Sequence, residues 1–268
     1  MRGTRPVLPG VSSENKAVLI TGAGARIGSV IAKGLAADGW SVIIHYNRSE
    51  NGAQALRDAI IAAGGKAAIV KANLNVPQER GNLIARAATA AGMPIGALIN
   101  NASTFTPDSV DDFTDASFDH HINANLRAPL HLAQQFAKQC GSGGSIINMI
   151  DQRVLKPNPE FLTYSIAKSA LHWATTTLAQ ALAPDIRVNG IGPGPTLKNT
   201  RQSDDDFAAE AGNTLLGTGS PPQDILGAVR YLLSAQSVTG QMIAVDGGQH
   251  LTWKTADFVG ESLAGDKP

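Results

Sequence analysis

A single cysteine, Cys140, stands in 268 residues. An intramolecular disulfide and a cysteine-built zinc site are therefore excluded, and a reducing cytoplasm is the expected setting. The thiol precedes Gly141 with no acid–base neighbour and reads as inert. Charge of one sign is also lacking. Lys and Arg number 22 against 22 Asp and Glu, a formal net charge of +0, so no overall field draws the chain to nucleic acid. Charged residues are only 16% beside 43% hydrophobic, a balance that excludes disorder and suits one large domain. Long apolar runs are missing too: charged or polar residues interrupt each one well before the ~18 residues of a membrane span. None of the six histidines falls in a His-x-x-x-His or His-Glu-x-x-His spacing, so no metal site is expected. The segment Met1 to Asn15 carries Arg2 and Arg5 without an apolar stretch behind them, and reads as a loose arm. Residues 251–268 read as a tail, and 16–250 as the folded domain.

What is present is an alternation. Short apolar runs at Lys16–Thr21, Ser41–Tyr46, Lys66–Lys71, Ile95–Asn100, Ser145–Met149, Ile186–Ile191 and Met242–Val245 are separated by segments of helical period. These helical segments are Ile27–Ala37, Glu50–Ala63, one opened by Pro77, Phe118–Cys140, Tyr164–Ala183 and Pro222–Ala235. Continuously apolar strands alternating with helices predict an α/β fold: a single-domain, Rossmann-type, doubly wound parallel sheet of about seven strands with helices on both faces. In that architecture ligands bind beyond the carboxyl ends of the strands.

The first strand runs into Thr21-Gly22-Ala23-Gly24-Ala25-Arg26-Ile27-Gly28. Glycines there let the backbone approach a pyrophosphate, which then meets the N–H groups of the following helix. The second strand ends in His45-Tyr46-Asn47-Arg48-Ser49, with no acid where an NAD site places one for the ribose hydroxyl. Arg48 with Ser49, joined by Arg26, matches a 2′-phosphate, which a carboxylate would repel. NADPH is the cofactor these residues favour. Tyr164 and Lys168, four apart on one helical face, form a candidate acid–base pair, although by spacing alone such pairs occur in many helices.

With the turn and this pair together, the chain resembles the short-chain dehydrogenase/reductase family from about Lys16 to Gly248. Thr21–Gly28 match its glycine motif, Asn100-Asn101-Ala102 its Asn-Asn-Ala segment, Asn125 its mid-helix asparagine, and Tyr164 with Lys168 its Tyr-x-x-x-Lys pair. Pro193-Gly194 and Asp246-Gly247-Gly248 match its later turns. The resemblance implies that Tyr164 handles the substrate proton, that Lys168 binds the nicotinamide ribose and lowers the tyrosine pKa, and that Asn125 extends a proton relay. It also implies cofactor contacts from Gly22, Ile27, His45, Tyr46, Asn47, Asn73, Leu74, Asn101, Ala102, Ser103, Pro193 and Gly194. Asn73 replaces an aspartate for the adenine amino group.

Asp151 stands where the family has a catalytic serine, and a carboxylate only accepts hydrogen bonds where a serine donates to a carbonyl. Together with Arg26, His45–Ser49 and Asn101-Ala102-Ser103-Thr104-Phe105, this resembles the pteridine reductase branch. That implies reduction of a dihydropterin or dihydrofolate C=N bond, with Ser103, Phe105, Asp151 and Tyr164 on the substrate and Phe105 stacked on its ring. A carbonyl reductase acting on 3-oxoacyl thioesters or sugars is the alternative, and a non-catalytic NADPH-binding regulator a third. The polar stretch 195–217 is expected to be a substrate lid, and the acids of 108–119 and 204–206 to lie away from a basic cofactor pocket. Family likeness also implies a homo-oligomer, dimer or tetramer.

Overall fold

The computed structural model describes residues 16–198 and 202–253. The N-terminal arm, residues 199–201 of the expected lid and the tail from residue 254 lie outside the described residues.

The chain order is β1 (Ala17–Ile20), α1 (Arg26–Ala37), β2 (Ser41–Tyr46), α2 (Glu50–Ala62), β3 (Lys66–Lys71), α3 (Pro77–Gly81), α4 (Leu83–Ala91) and β4 (Ala97–Asn100). It continues through α5 (Asp115–Ile122), α6 (Ala128–Gln139), β5 (Gly144–Met149), α7 (Leu162–Leu182), β6 (Ile186–Pro193), α8 (Asp204–Gly212), α9 (Pro222–Ser234) and β7 (Met242–Val245). All seven strands pair in parallel in the order β3-β2-β1-β4-β5-β6-β7.

Side-chain alternation explains why the strands are apolar throughout. Val18 and Ile20 of β1 join a core with Ile31 and Leu35 of α1, Ile60 of α2, and Ile225 and Val229 of α9. Ala17 and Leu19 face the other way, into a core with Ile84 of α4, Leu132 and Phe136 of α6, and Ala179 of α7. Both faces of the sheet are covered, so neither set of alternate residues can be polar.

Between α5 and α6 the expected single helix is interrupted by a π-helical stretch, Asn123–Arg127. Pro129 follows in the first turn of α6. Its ring has no N–H for the carbonyl four residues back and would clash with it. Widening the preceding turn relieves that clash and brings Asn125, wholly buried, inward.

Strand order reverses at β1, which pairs β2 on one side and β4 on the other. The crevice above the carboxyl ends of β1 and β4 is where such a sheet receives a ligand.

Candidate active site

The switch point is held by side chains from both strands. Thr21 Oγ1 accepts from the backbone N–H groups of Asn101 and Ala102, both at 2.9 Å, and Asn101 Nδ2 donates to the Thr21 carbonyl at 2.8 Å. Gly22 follows at φ +62°, where a Cβ would stand 2.9 Å from the Ala102 Cα, so only glycine passes. At Gly28 a Cβ would meet Asn101 Nδ2 at 2.6 Å. The turn thus seats α1 close against β4. Helix α1 opens with no acidic residue in its first turn and no side-chain cap, leaving its first N–H groups to an anion.

His45 organises this turn and adds no charge to it. Its Nδ1 accepts from the Gly22 N–H at 3.0 Å, so Nε2 carries the proton and donates to the Ala72 carbonyl, also at 3.0 Å. Burial pushes its pKa down to about 4, leaving the ring neutral.

Every predicted site residue except Tyr46 and Asn125 lines one cleft of about 1090 Å³. Tyr46 instead follows the two-residue alternation of β2 and packs with Val42 and Ile44 in the core. Asn125 clamps the loop after β4: its Oδ1 accepts from the Thr104 N–H at 2.9 Å and from Ser103 Oγ at 3.0 Å, and its Nδ2 donates to the Thr104 carbonyl at 2.9 Å. This amide supports the loop carrying Phe105. Asn73 Oδ1 accepts from the Asn75 N–H at 3.0 Å, which ties down the loop after β3.

Arg26 has the one non-glycine positive φ among the described residues, +54°. Its guanidinium donates to the carbonyls of Leu197 and Lys198 at 2.9 and 2.8 Å. It therefore joins α1 to the loop after β6 and does not converge on Arg48, which stands exposed at the end of β2 beside Ser49.

Deeper in the cleft, Tyr164 Oη donates to Asp151 Oδ2 at 2.7 Å. Burial first, and the Asp151 charge second, hold the tyrosine pKa well above its ordinary value, opposed by Arg153 and Ser103. The expected lowering by Lys168 does not appear. The Lys168 Nζ donates to the Met149 carbonyl at 2.8 Å and lies 5.7 Å from the Tyr164 ring centroid. Lys168 is 2% exposed, and burial brings its pKa down to about 8, against the pull of Asp151.

Phe105 stacks on Phe161 at 4.5 Å between centroids and meets the Tyr164 ring edge-on at 4.8 Å. This part of the cleft is thus aromatic, and Asp151 and Tyr164 line it as well.

Several residues here were not anticipated. Arg153 and Phe161 line the cleft, as do Asp206, Phe207 and Glu210 of α8, so one acid expected elsewhere, Asp206, is part of its lining. The Ser203–Asp206 capping box that starts α8 was a readable signal for that helix. A buried network beside Tyr164 was not readable, because three separate segments supply it. Thr163 donates through N and Oγ1 to the Asp108 carboxylate, while His121 Nδ1 lies 2.6 Å from Thr163 Oγ1 and its Nε2 lies 2.9 Å from Thr106 Oγ1. With the Thr163 hydroxyl proton given to Asp108, His121 Nδ1 is the donor, and the network fastens the Phe105 loop to α7.

The family model described as short chain dehydrogenase matches residues 16–209. The chain belongs to this family. An oxidoreductase of Methylorubrum extorquens is 34% identical to this short chain dehydrogenase over 243 residues, 88% of the chain and 98% of the relative. Pteridine reductase 1 of Leishmania tarentolae is 31% identical over 279 residues, covering 87% and 96%. The crystal structure of FolM alternative dihydrofolate reductase 1 from Brucella canis, complexed with NADP, superposes with a TM-score of 0.89 at 42% identity, covering 93% of this chain and all of that one. Among the described residues, no helix is long and apolar enough to cross a membrane.

Proposed function

We propose that this short chain dehydrogenase is an NADPH-dependent reductase of a pterin-like heterocycle. The observation that carries the reading is the Tyr164–Asp151 hydrogen bond in the aromatic part of the cleft. A carboxylate there repels the oxyanion that develops when a ketone is reduced, whereas a ring rich in N–H groups supplies donors to it. The likeness to a pteridine reductase and to FolM alternative dihydrofolate reductase supports the same reading.

NADPH fits the switch point: the glycine turn and the α1 N-terminus take the pyrophosphate, Arg48 and Ser49 the 2′-phosphate, and Lys168 the nicotinamide ribose. Bound there, it supplies a hydride. Tyr164 holds the proton for the ring nitrogen, and Asp151 accepts from the tyrosine and from the ring. Phe105 offers a flat face to the heterocycle, and α8 borders the opening as part of the 195–217 lid. We assign residues 16–250 to one catalytic domain acting in the cytoplasm. The exposed Ile166 and Trp173, seven apart on α7, support a homo-oligomeric interface.

The test is NADPH oxidation with 7,8-dihydropterins, quinonoid dihydropterin and 3-oxoacyl thioesters, by wild type and Asp151→Ser. Turnover of dihydropterins that collapses in Asp151→Ser is expected. Turnover of carbonyl substrates alone would sink the pterin reading, and NADPH binding without any turnover would indicate a regulator.

A further inference from the structure

The Arg153 guanidinium has two edges with different surroundings. The backbone N–H of Arg153 donates to Asp151 Oδ1 at 2.8 Å, and Nη1 stands 3.4 and 3.5 Å from the two carboxylate oxygens. The side chain is therefore drawn toward Asp151 without closing a short ion pair. Its Cζ lies 5.3 Å from the Phe105 ring centroid and 5.0 Å from that of Phe161. Aromatic rings attract the cation but take up few of its in-plane N–H groups, which need acceptors elsewhere. Nε finds none: it is buried and without a hydrogen-bond partner, although the side chain lines the cleft. A charged group's N–H without an acceptor is costly, and a small shift of this side chain, 18% exposed at the cleft wall, brings the donor to an acceptor carried by the ligand.

We infer that Arg153 is a specificity-determining residue whose Nε edge donates to an oxo group on the heterocycle, while Asp151 accepts from the ring N–H groups. The inference rests on the pterin reading above. Asp151 retains acceptor capacity for this: a carboxylate has about four acceptor sites, its two short bonds come from Tyr164 and the Arg153 backbone, and Arg153 Nη1 stands further off at 3.4 and 3.5 Å. The side-by-side donor and acceptor select a ring that presents C=O beside N–H. A ring with an amino group in place of that oxo group turns its own N–H toward the guanidinium and leaves both donors unpaired. The rigid guanidinium plane, braced against two phenyl rings, makes lysine a poor replacement.

The experiment measures binding of two probes to the NADPH-loaded enzyme: a 2-amino-4-oxo dihydropterin and a 2,4-diaminopteridine. Wild type is compared with Arg153→Met and Arg153→Lys. Arg153→Met is expected to weaken the oxo probe by roughly 10- to 100-fold and the diamino probe by less than about threefold, as loss of one charged hydrogen-bond donor requires. Arg153→Lys is expected to recover only part of that selectivity, and the NADPH affinity of both variants to stay at the wild-type value. Equal losses for both probes would mean that Arg153 acts only by supporting Asp151 or the fold, and that overturns the inference, as does no loss for either. A wild type that reduces dihydropterins while the probe ratio is indifferent to Arg153 removes this inference alone. A wild type that binds neither probe removes the pterin reading and this inference with it.

Discussion

Tyr164 Oη and Asp151 Oδ2 share a hydrogen bond of 2.7 Å, with the tyrosine 4% exposed. The phenol is the donor, and both its burial and the adjacent carboxylate keep the proton on it. The site therefore stores an acidic proton against an acceptor, and the tyrosine ionises only at high pH. Tyr164→Phe is predicted to lower kcat by roughly 10²- to 10⁴-fold, the range for loss of a general acid. Asp151→Asn removes a negative charge that raises the tyrosine pKa, so the alkaline limb of the pH–rate profile is predicted to move to lower pH. An alkaline limb unmoved in Asp151→Asn would show that the carboxylate does not act on that proton.

Lys168 is predicted to cost the fold stability. Its folded pKa is about 8, below its ordinary 10.5, because burial disfavours the ammonium. The unfolded chain binds more protons between these values, so stability falls as pH drops from 10.5 to about 8 and stays low beneath that. At neutral pH, Lys168→Met is predicted to raise stability by about 1–3 kcal/mol, seen as a Tm higher by several degrees, while kcat/KM falls by about 100-fold or more. Differential scanning fluorimetry with steady-state rates checks both, and a lower Tm overturns the stability half.

The seven parallel strands were legible, the clearest of them because burial on both faces writes continuous apolar runs into β1, β2, β4 and β5; their order in the sheet was not. Tyr164, Lys168 and Asp151 were picked out by their resemblance to the family's motifs, and all three line the cleft. The π stretch at Asn123–Arg127 was not, since apolar spacing carries no mark of one widened turn; Pro129 was its cue. The charge state of His45 was equally hidden: the sequence displays an imidazole, and burial keeps it neutral while the Gly22 N–H on Nδ1 makes it an acceptor. Arg153 went unnoticed because its importance lies in Phe161, eight residues further on, and in Phe105 from another loop.

His45 sets an acid limit on the fold. Its pKa is about 4 in the folded protein against an ordinary 6.5, so the unfolded chain binds the extra proton in between. The neutral ring's contribution is complete above pH 6.5 and is lost as pH falls through the window to about 4, amounting to about 3 kcal/mol in all. Burial also lowers the His121 pKa, which adds in the same direction. Urea unfolding across that range is predicted to show falling stability in wild type and a shallower fall in His45→Gln. Equal slopes for the two proteins would place the acid sensitivity elsewhere.

The two arginines of the cofactor end are predicted to separate in function. Arg48 is exposed at the end of β2 beside Ser49, where the 2′-phosphate of NADPH is proposed to sit. Arg26 is held by the carbonyls of Leu197 and Lys198, and Lys198 Nζ in turn reaches Asp204 at the start of α8 at 2.6 Å. Removing Arg48 deletes a charged donor to a group that NADH lacks, so Arg48→Ala is predicted to weaken NADPH by roughly 10- to 100-fold and leave NADH almost unchanged. Removing Arg26 loosens the loop leading to α8, whose Asp206, Phe207 and Glu210 line the cleft. Arg26→Ala is therefore predicted to raise the substrate KM while the NADPH-to-NADH preference stays near its wild-type value. Dissociation constants for both dinucleotides, measured by fluorescence titration, decide the matter. If Arg26→Ala erases the preference as fully as Arg48→Ala, then Arg26 leaves the loop carbonyls for the phosphate when the cofactor binds.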